Sequence, residues 1–114
     1  VETNEVTSEF WAVRGLPHRP DGPAFFVKDP VSNVVTSEEW FMNGKLHRAQ
    51  GPAVVERHPS TGFAIREEWH RHGRCHRSDG PAFIERDGLT GRVLVQRFYE
   101  DGNELKTRRG FNLG

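Results

Sequence analysis

The sequence predicts an all-β fold, an elongated antiparallel meander of tandem β-hairpins in a single sheet. Trp11, Trp40, Trp69 and Phe98 follow one another at intervals of 29 residues, as do Gly15, Gly44, Gly73 and Gly102. Two kinds of turn signal recur inside each interval. No stretch carries the capped 3.6-residue periodicity of a helix.

The repeat is the first element to justify, because a fixed period marks a chain built from stacked supersecondary units. His18-Arg19, His47-Arg48 and His76-Arg77 keep the same step, and so do Gly22-Pro23-Ala24, Gly51-Pro52-Ala53 and Gly80-Pro81-Ala82. The unit reads W-x-x-x-G-x-x-H-R-x-x-G-P-A. One domain, 1–114, is expected, with units at about 7–35, 36–64 and 65–93 and a degenerate cap at 94–114. The fourth copy retains Phe98 and Gly102 but places Leu105, Lys106, Arg109, Gly110 and Phe111 where His, Arg, Gly, Pro and Ala would fall. Stacked repeats need such an atypical end unit to close an open edge.

The first turn signal is the recurring glycine, preceded by Arg14, Asn43, His72 or Asp101. Asn43-Gly44 and Asp101-Gly102 are two-residue hairpin turns, in which both central residues need positive φ. The second signal is Asp29-Pro30-Val31-Ser32-Asn33, matched by His58-Pro59-Ser60-Thr61-Gly62 and Asp87-Gly88-Leu89-Thr90-Gly91. It closes on Asn, Gly and Gly, which enter the left-handed region cheaply, so a type I turn ended by a bulge is expected. Between the turns lie β-rich stretches such as Ala53-Val54-Val55-Glu56-Arg57. Gly-Pro-Ala marks the kink between one hairpin and the next, because Pro lacks the donor a central ladder needs. With strands ~4.8 Å apart, successive units advance about 10 Å.

Composition bounds the function. Hydrophobic residues make up 34% of the 114 and charged residues 28%, which suits a thin sheet with two wetted faces rather than a thick core. Sixteen basic residues balance sixteen acidic ones, so no average charge draws the chain to nucleic acid or to an anionic membrane. Cys75 is the single cysteine, which excludes an intrachain disulfide. Apolar runs such as Pro23-Ala24-Phe25-Phe26-Val27 fall far short of the ~20 residues of a membrane helix. A soluble chain of cytoplasmic location without a membrane partner is expected. The sequence starts at Val1 with no charged-then-apolar leader, as an excised or processed segment would.

A two-residue turn at Asn43-Gly44 sets Phe41 opposite Leu46, Trp40 opposite His47 and Glu39 opposite Arg48. The same register pairs Trp11 with His18, Trp69 with His76, and Phe98 with Leu105. Such cross-strand pairs contribute about 0.2–1 kcal/mol each. On the other face of the ribbon Glu39 meets Arg48, Glu68 meets Arg77 and Arg97 meets Lys106. Two roles for these rows compete. In the first, His packs on Trp and donates to a turn carbonyl while Arg pairs or snorkels. In the second, Trp11, His18, Arg19, Trp40, His47, Arg48, Trp69, His76 and Arg77 are binding residues, a ladder that grips phosphates or carboxylates on an extended partner.

His70 and Cys75 also face each other in this register, with His72 at the tip as a third zinc ligand. A Cys/His pair without a second Cys-x-x-Cys half is more often an accident of a polar hairpin, so no metal and no other cofactor is assigned. No nucleophile elbow, phosphate-cradling glycine loop or zincin helix is present. Glu38-Glu39 and Glu67-Glu68 are strand neighbours whose side chains point to opposite faces, which precludes a carboxylate dyad within one strand. No catalytic residue is assigned, and the chain reads as non-enzymatic.

The stretch Asn43-Gly44-Lys45-Leu46-His47-Arg48-Ala49-Gln50-Gly51-Pro52-Ala53 resembles MORN repeats, and more closely the variant NGKLHRxDGPA repeats of uncharacterised bacterial, phage and giant-virus proteins. The resemblance covers about residues 7–108, with a longer period than MORN proteins proper. It implies a meandering hairpin sheet that serves as a platform for another protein, and it implies no chemistry. The expected function is a protein-interaction module that blocks or scaffolds a partner. The alternatives are a nucleic-acid or polyanion binder working through the His-Arg ladder, and a small-ligand or enzymatic site in a concave sheet face. Two free edge strands also invite homodimerisation.

Overall fold

Turn geometry decides where this chain reverses. Arg14-Gly15, Asn43-Gly44, His72-Gly73 and Asp101-Gly102 all hold positive φ at both positions, 52° and 81° at Asn43-Gly44, which is the type I′ hairpin turn the glycine spacing predicts. The second turns close on Asn33, Gly62 and Gly91 with φ of 65°, 76° and 78°. Asp29 Oδ1 accepts the amides of Val31 and Ser32, and Asp87 Oδ1 those of Leu89 and Thr90. These bonds hold both carboxyls below the usual carboxylate range. His58 Nδ1 does the same work with Ser60 and Thr61. The strand register slips at Val27/Lys28, Glu56/Arg57 and Glu85/Arg86, where each turn ends in its bulge.

The computed structural model describes residues 7–109 and is all-β, with no helix among the described residues. Eight strands form one antiparallel sheet: β1 (Ser8–Phe10), β4 (Phe25–Lys28), β5 (Val35–Glu39), β8 (Val54–Arg57), β9 (Ala64–Glu68), β12 (Phe83–Arg86), β13 (Val93–Glu100) and β14 (Asn103–Arg109), in that spatial order. Three short hairpins leave it, β2–β3 (Ala12–Val13, Leu16–Pro17), β6–β7 (Phe41–Met42, Lys45–Leu46) and β10–β11 (His70–Arg71, Arg74–Cys75). The expected antiparallel meander therefore forms, with each of the first three units divided between the main sheet and a hairpin wing. Its extents are 46 × 36 × 16 Å. A thickness of 16 Å accommodates one sheet with its side chains and no second layer, which would add roughly 10 Å.

Direct partners across the sheet share a face. Phe26, Glu38, Val55, Glu67, Ile84 and Gln96 form one row, apolar on the return strands and polar on the outgoing ones. The neighbouring row alternates large and small. Trp11, Trp40 and Trp69 donate backbone N–H to the carbonyls of Ala24, Ala53 and Ala82. Those three alanines are fully buried, and Val55 and Ile84 beside them are nearly so. The core is thus a strip under the tryptophans. Glu38 and Glu67 reach the guanidinium groups of Arg57 and Arg86 on the same face, each 19 residues on. The opposite face carries the network Glu56–Arg66–Glu68.

Ala53→Leu should destabilise the fold by about 1–3 kcal/mol, because the strip has no room for added methylenes. Val31→Ala, at a position 92% exposed, should change it by less than about 0.5 kcal/mol. Urea unfolding followed by tryptophan fluorescence checks both.

Candidate functional site

The hairpin wings are clamped unit to unit. A type I′ turn leaves the amides of its two central residues pointing outward. Gly44 N–H donates to Pro17 O, Gly73 to Leu46 O and Gly102 to Cys75 O, all at 2.8–2.9 Å. The residue before each glycine donates to an imidazole of the preceding unit: Asn43 N to His18 Nδ1 (2.9 Å), His72 N to His47 Nδ1 (2.9 Å) and Asp101 N to His76 Nδ1 (3.1 Å). His47 also stacks on His72 at 4.4 Å. The three candidate histidines are therefore rungs between units. The expectation that they donate to a turn carbonyl is corrected: each accepts a turn amide, one unit further along.

The candidate arginines sit on the candidate tryptophans. The guanidinium carbon lies 4.3 Å from the Trp11 ring centroid at Arg19, 3.8 Å from Trp40 at Arg48, and 4.1 Å from Trp69 at Arg77. One Nη1 of each donates to the carbonyl of Pro23, Pro52 or Pro81, at 3.1–3.2 Å. The glycine before that proline has its reason here. A Cβ on Gly22, Gly51 or Gly80 would stand within 2.8–3.0 Å of the guanidinium.

The simple ribbon register holds through the hairpins, where Phe41 faces Leu46 and His70 faces Cys75, and one pair beyond, where the amides of His18, His47 and His76 donate to the carbonyls of Trp11, Trp40 and Trp69. Beyond Trp40 the chain bends, and Glu39 joins the main sheet between Phe25 and Val54. The expected Glu39–Arg48 and Glu68–Arg77 pairs consequently do not form. The cause is the neighbouring unit, which takes the arginine amides: Arg19 N donates to Phe41 O, Arg48 N to His70 O and Arg77 N to Tyr99 O. In the last unit Arg97 faces Thr107 and Phe98 faces Lys106, so the expected Arg97–Lys106 and Phe98–Leu105 pairings are displaced by one residue. The observed pairs Glu38–Arg57 and Glu67–Arg86 had a legible signal, an acid and a base 19 apart in phase with the repeat.

This packing leaves two grooves one repeat apart. The first, of about 340 Å³, is lined by Arg19, Trp40, Met42, His47, Arg48 and Gln50. The second, of about 400 Å³, is lined by Arg48, Trp69, Arg71, His76, Arg77 and Asp79. Arg48 forms a wall of both. The grooves bring together all the candidate residues except Trp11 and His18, which lie at the first edge. Arg19 and Arg77 each have an aspartate two residues on, Asp21 at 3.5 Å and Asp79 at 2.9 Å. Gln50 occupies that place in the middle unit, and Arg48 has no carboxylate within 4.0 Å among the described residues. Burial lowers the Arg48 pKa, while Glu38 acts in the opposite sense.

Cys75 faces His70, but burial and Glu68 push its thiol up to about 11, which keeps it protonated at neutral pH. The His70 ring contacts Glu68 instead, at 2.9 Å, and that bond holds the Glu68 carboxyl low. Among the described residues no three His, Cys, Asp or Glu side chains gather as a metal site. No helix of the described residues is long and apolar enough to cross a membrane. Comparison with protein-family models, curated proteins and solved structures returned no match to this chain.

An imidazole can accept at Nδ1 only while that nitrogen is unprotonated. Burial, with His72 and Arg71 nearby, lowers the His47 pKa, so the unfolded chain takes up a proton first as pH falls. The stability His47 contributes should be complete above about 6.5 and lost as pH falls through the lowered folded value. His47→Asn, which keeps an acceptor that does not titrate, should reduce the fall in melting temperature between pH 7.5 and 5.5; an unchanged slope would refute the rung assignment. Separately, Gly80→Ala should displace Arg77 from Trp69. A double-mutant cycle with Arg77→Ala should show coupling of about 0.5–1 kcal/mol, and strict additivity would contradict it.

Proposed function

We propose that this chain is a non-enzymatic protein-interaction module whose contact surface is the face bearing the Trp, Arg and His rows. The observation that carries the reading is the pair of grooves one repeat apart, each walled by arginines and containing a tryptophan that stays partly open to solvent. Aromatic and arginine side chains dominate the energetics of protein interfaces. Here they are already held by cation–π contacts and backbone bonds, so binding immobilises little that is not already fixed. The likeness of Asn43–Ala53 to MORN-type repeats supports the same reading.

Ala49 lines both grooves and is exposed, so Ala49→Trp obstructs them without removing a structural contact. Affinity capture from host lysate should retain a protein on the wild type and lose it on Ala49→Trp. A partner held equally by both would place the interface elsewhere. Nucleic acid alone, released steeply by salt, would favour the polyanion reading.

A further inference from the structure

We propose that the two grooves together read an acidic polyproline II segment of the partner, with carboxylates three residues apart, one to each groove. This rests on the interaction-module reading above and specifies what such a partner presents. The charge argument starts from Arg48. It is the middle rung of three and the one whose neutralising aspartate is replaced, by Gln50. Arg71, exposed on the wing, adds a second guanidinium with no carboxylate within 4.0 Å among the described residues, at the place Met42 holds in the first groove. The walls of the first groove are thus Arg19 and Arg48, and those of the second are Arg48 and Arg77, with Arg71 beside them. On a chain with no net charge, this is a local concentration of cations.

Spacing selects the conformation of the ligand. One repeat adds two strands, a step of about 9.6 Å. A β-strand repeats its side-chain direction every second residue, at roughly 6.7 Å, and misses that step. Polyproline II returns to the same side every third residue, at about 9.3 Å, and matches it. Polyproline II ligands dock in aromatic-lined grooves, and Trp40 and Trp69 line these two, each beside the guanidinium that stacks on it. A nucleic acid fits less well, because Asp21 and Asp79, beside Arg19 and Arg77, interrupt the continuous positive track a phosphate backbone follows.

The test uses the full chain and a fluorescein-labelled Asp-Pro-Pro-Asp-Pro-Pro-Asp peptide, read by anisotropy at low salt. Controls are the Asn-for-Asp peptide, Asp-Pro-Asp-Pro-Asp, and a twelve-nucleotide oligo-dT. The acidic peptide should bind roughly tenfold more tightly than the Asn peptide and severalfold more tightly than the closer-spaced one. Gln50→Asp gives the middle unit the aspartate its neighbours carry and should weaken binding about fivefold without lowering the melting temperature. Arg71→Glu should weaken it at least as much. Absence of peptide binding, equal binding of the Asn peptide, indifference to both substitutions, or tighter binding of oligo-dT would each overturn the proposal. If Ala49→Trp still loses a captured protein while the acidic peptide fails, the module reading stands and only its acidic ligand is wrong.

Discussion

A hairpin turn of type I′ exposes two backbone amides at its tip, and at three of the four such turns here the preceding unit supplies an acceptor for each. One acceptor is a carbonyl (Pro17, Leu46, Cys75) and the other an imidazole nitrogen (His18, His47, His76). Neither is available within the unit that needs it. A single unit would leave its turn to water and its Trp-Ala strip uncovered, so stability resides in the stack. The same clamp fixes the geometry of the grooves. By drawing the arginine amide to the next unit, it bends the chain at Trp and leaves the groove between one His-Arg segment and the next.

How far the sequence discloses this structure depends on the range over which each signal acts. Positive φ at Asn43-Gly44 and at Gly62 is a local steric matter, and both turns could be read directly. Register inside each short hairpin follows from its turn, and Phe41–Leu46 was correctly placed. Reading failed at Glu39–Arg48 because extrapolating a two-strand ribbon ignores the third strand. Arg48 has a choice of partners, and the neighbouring unit's carbonyl prevails. The histidines were misassigned for the same reason, since a contact 25 residues away in another unit is invisible to a within-unit register. The recurrence of the nine candidate residues reflects contacts within the fold, in which Arg stacks on Trp and His bridges to the next unit.

Charge placement follows from the same geometry. The sheet-facing glutamates Glu38 and Glu67 are half-buried and each takes a guanidinium from the adjacent return strand, which satisfies carboxylates that would otherwise be costly to cover. The Arg19 and Arg77 guanidiniums meet exposed aspartates whose pairs are worth little. Their positions are set instead by the ring beneath and the proline carbonyl beside them. Replacing the aspartate with Gln50 therefore costs the middle unit little stability while it frees the Arg48 charge. Fold and surface chemistry are separable at that position.

The last unit separates the two roles of the His-Arg step. It keeps a cation over an aromatic ring, Lys106 on Phe98 at 4.7 Å, but carries Leu105 where the others carry His. Leucine has no acceptor for a further turn amide, so the rung is dropped where, among the described residues, no unit follows. The strands respond. Among the described residues no further unit takes the Lys106 amide, and β13 and β14 run on as one long ribbon through Phe98 in place of the bend at Trp11, Trp40 and Trp69, with a register slip at Phe98/Tyr99. The aromatic–cation pair is thus local packing within a unit. The histidine belongs to propagation between units, and the bend that shapes the grooves is imposed from outside the hairpin that bends.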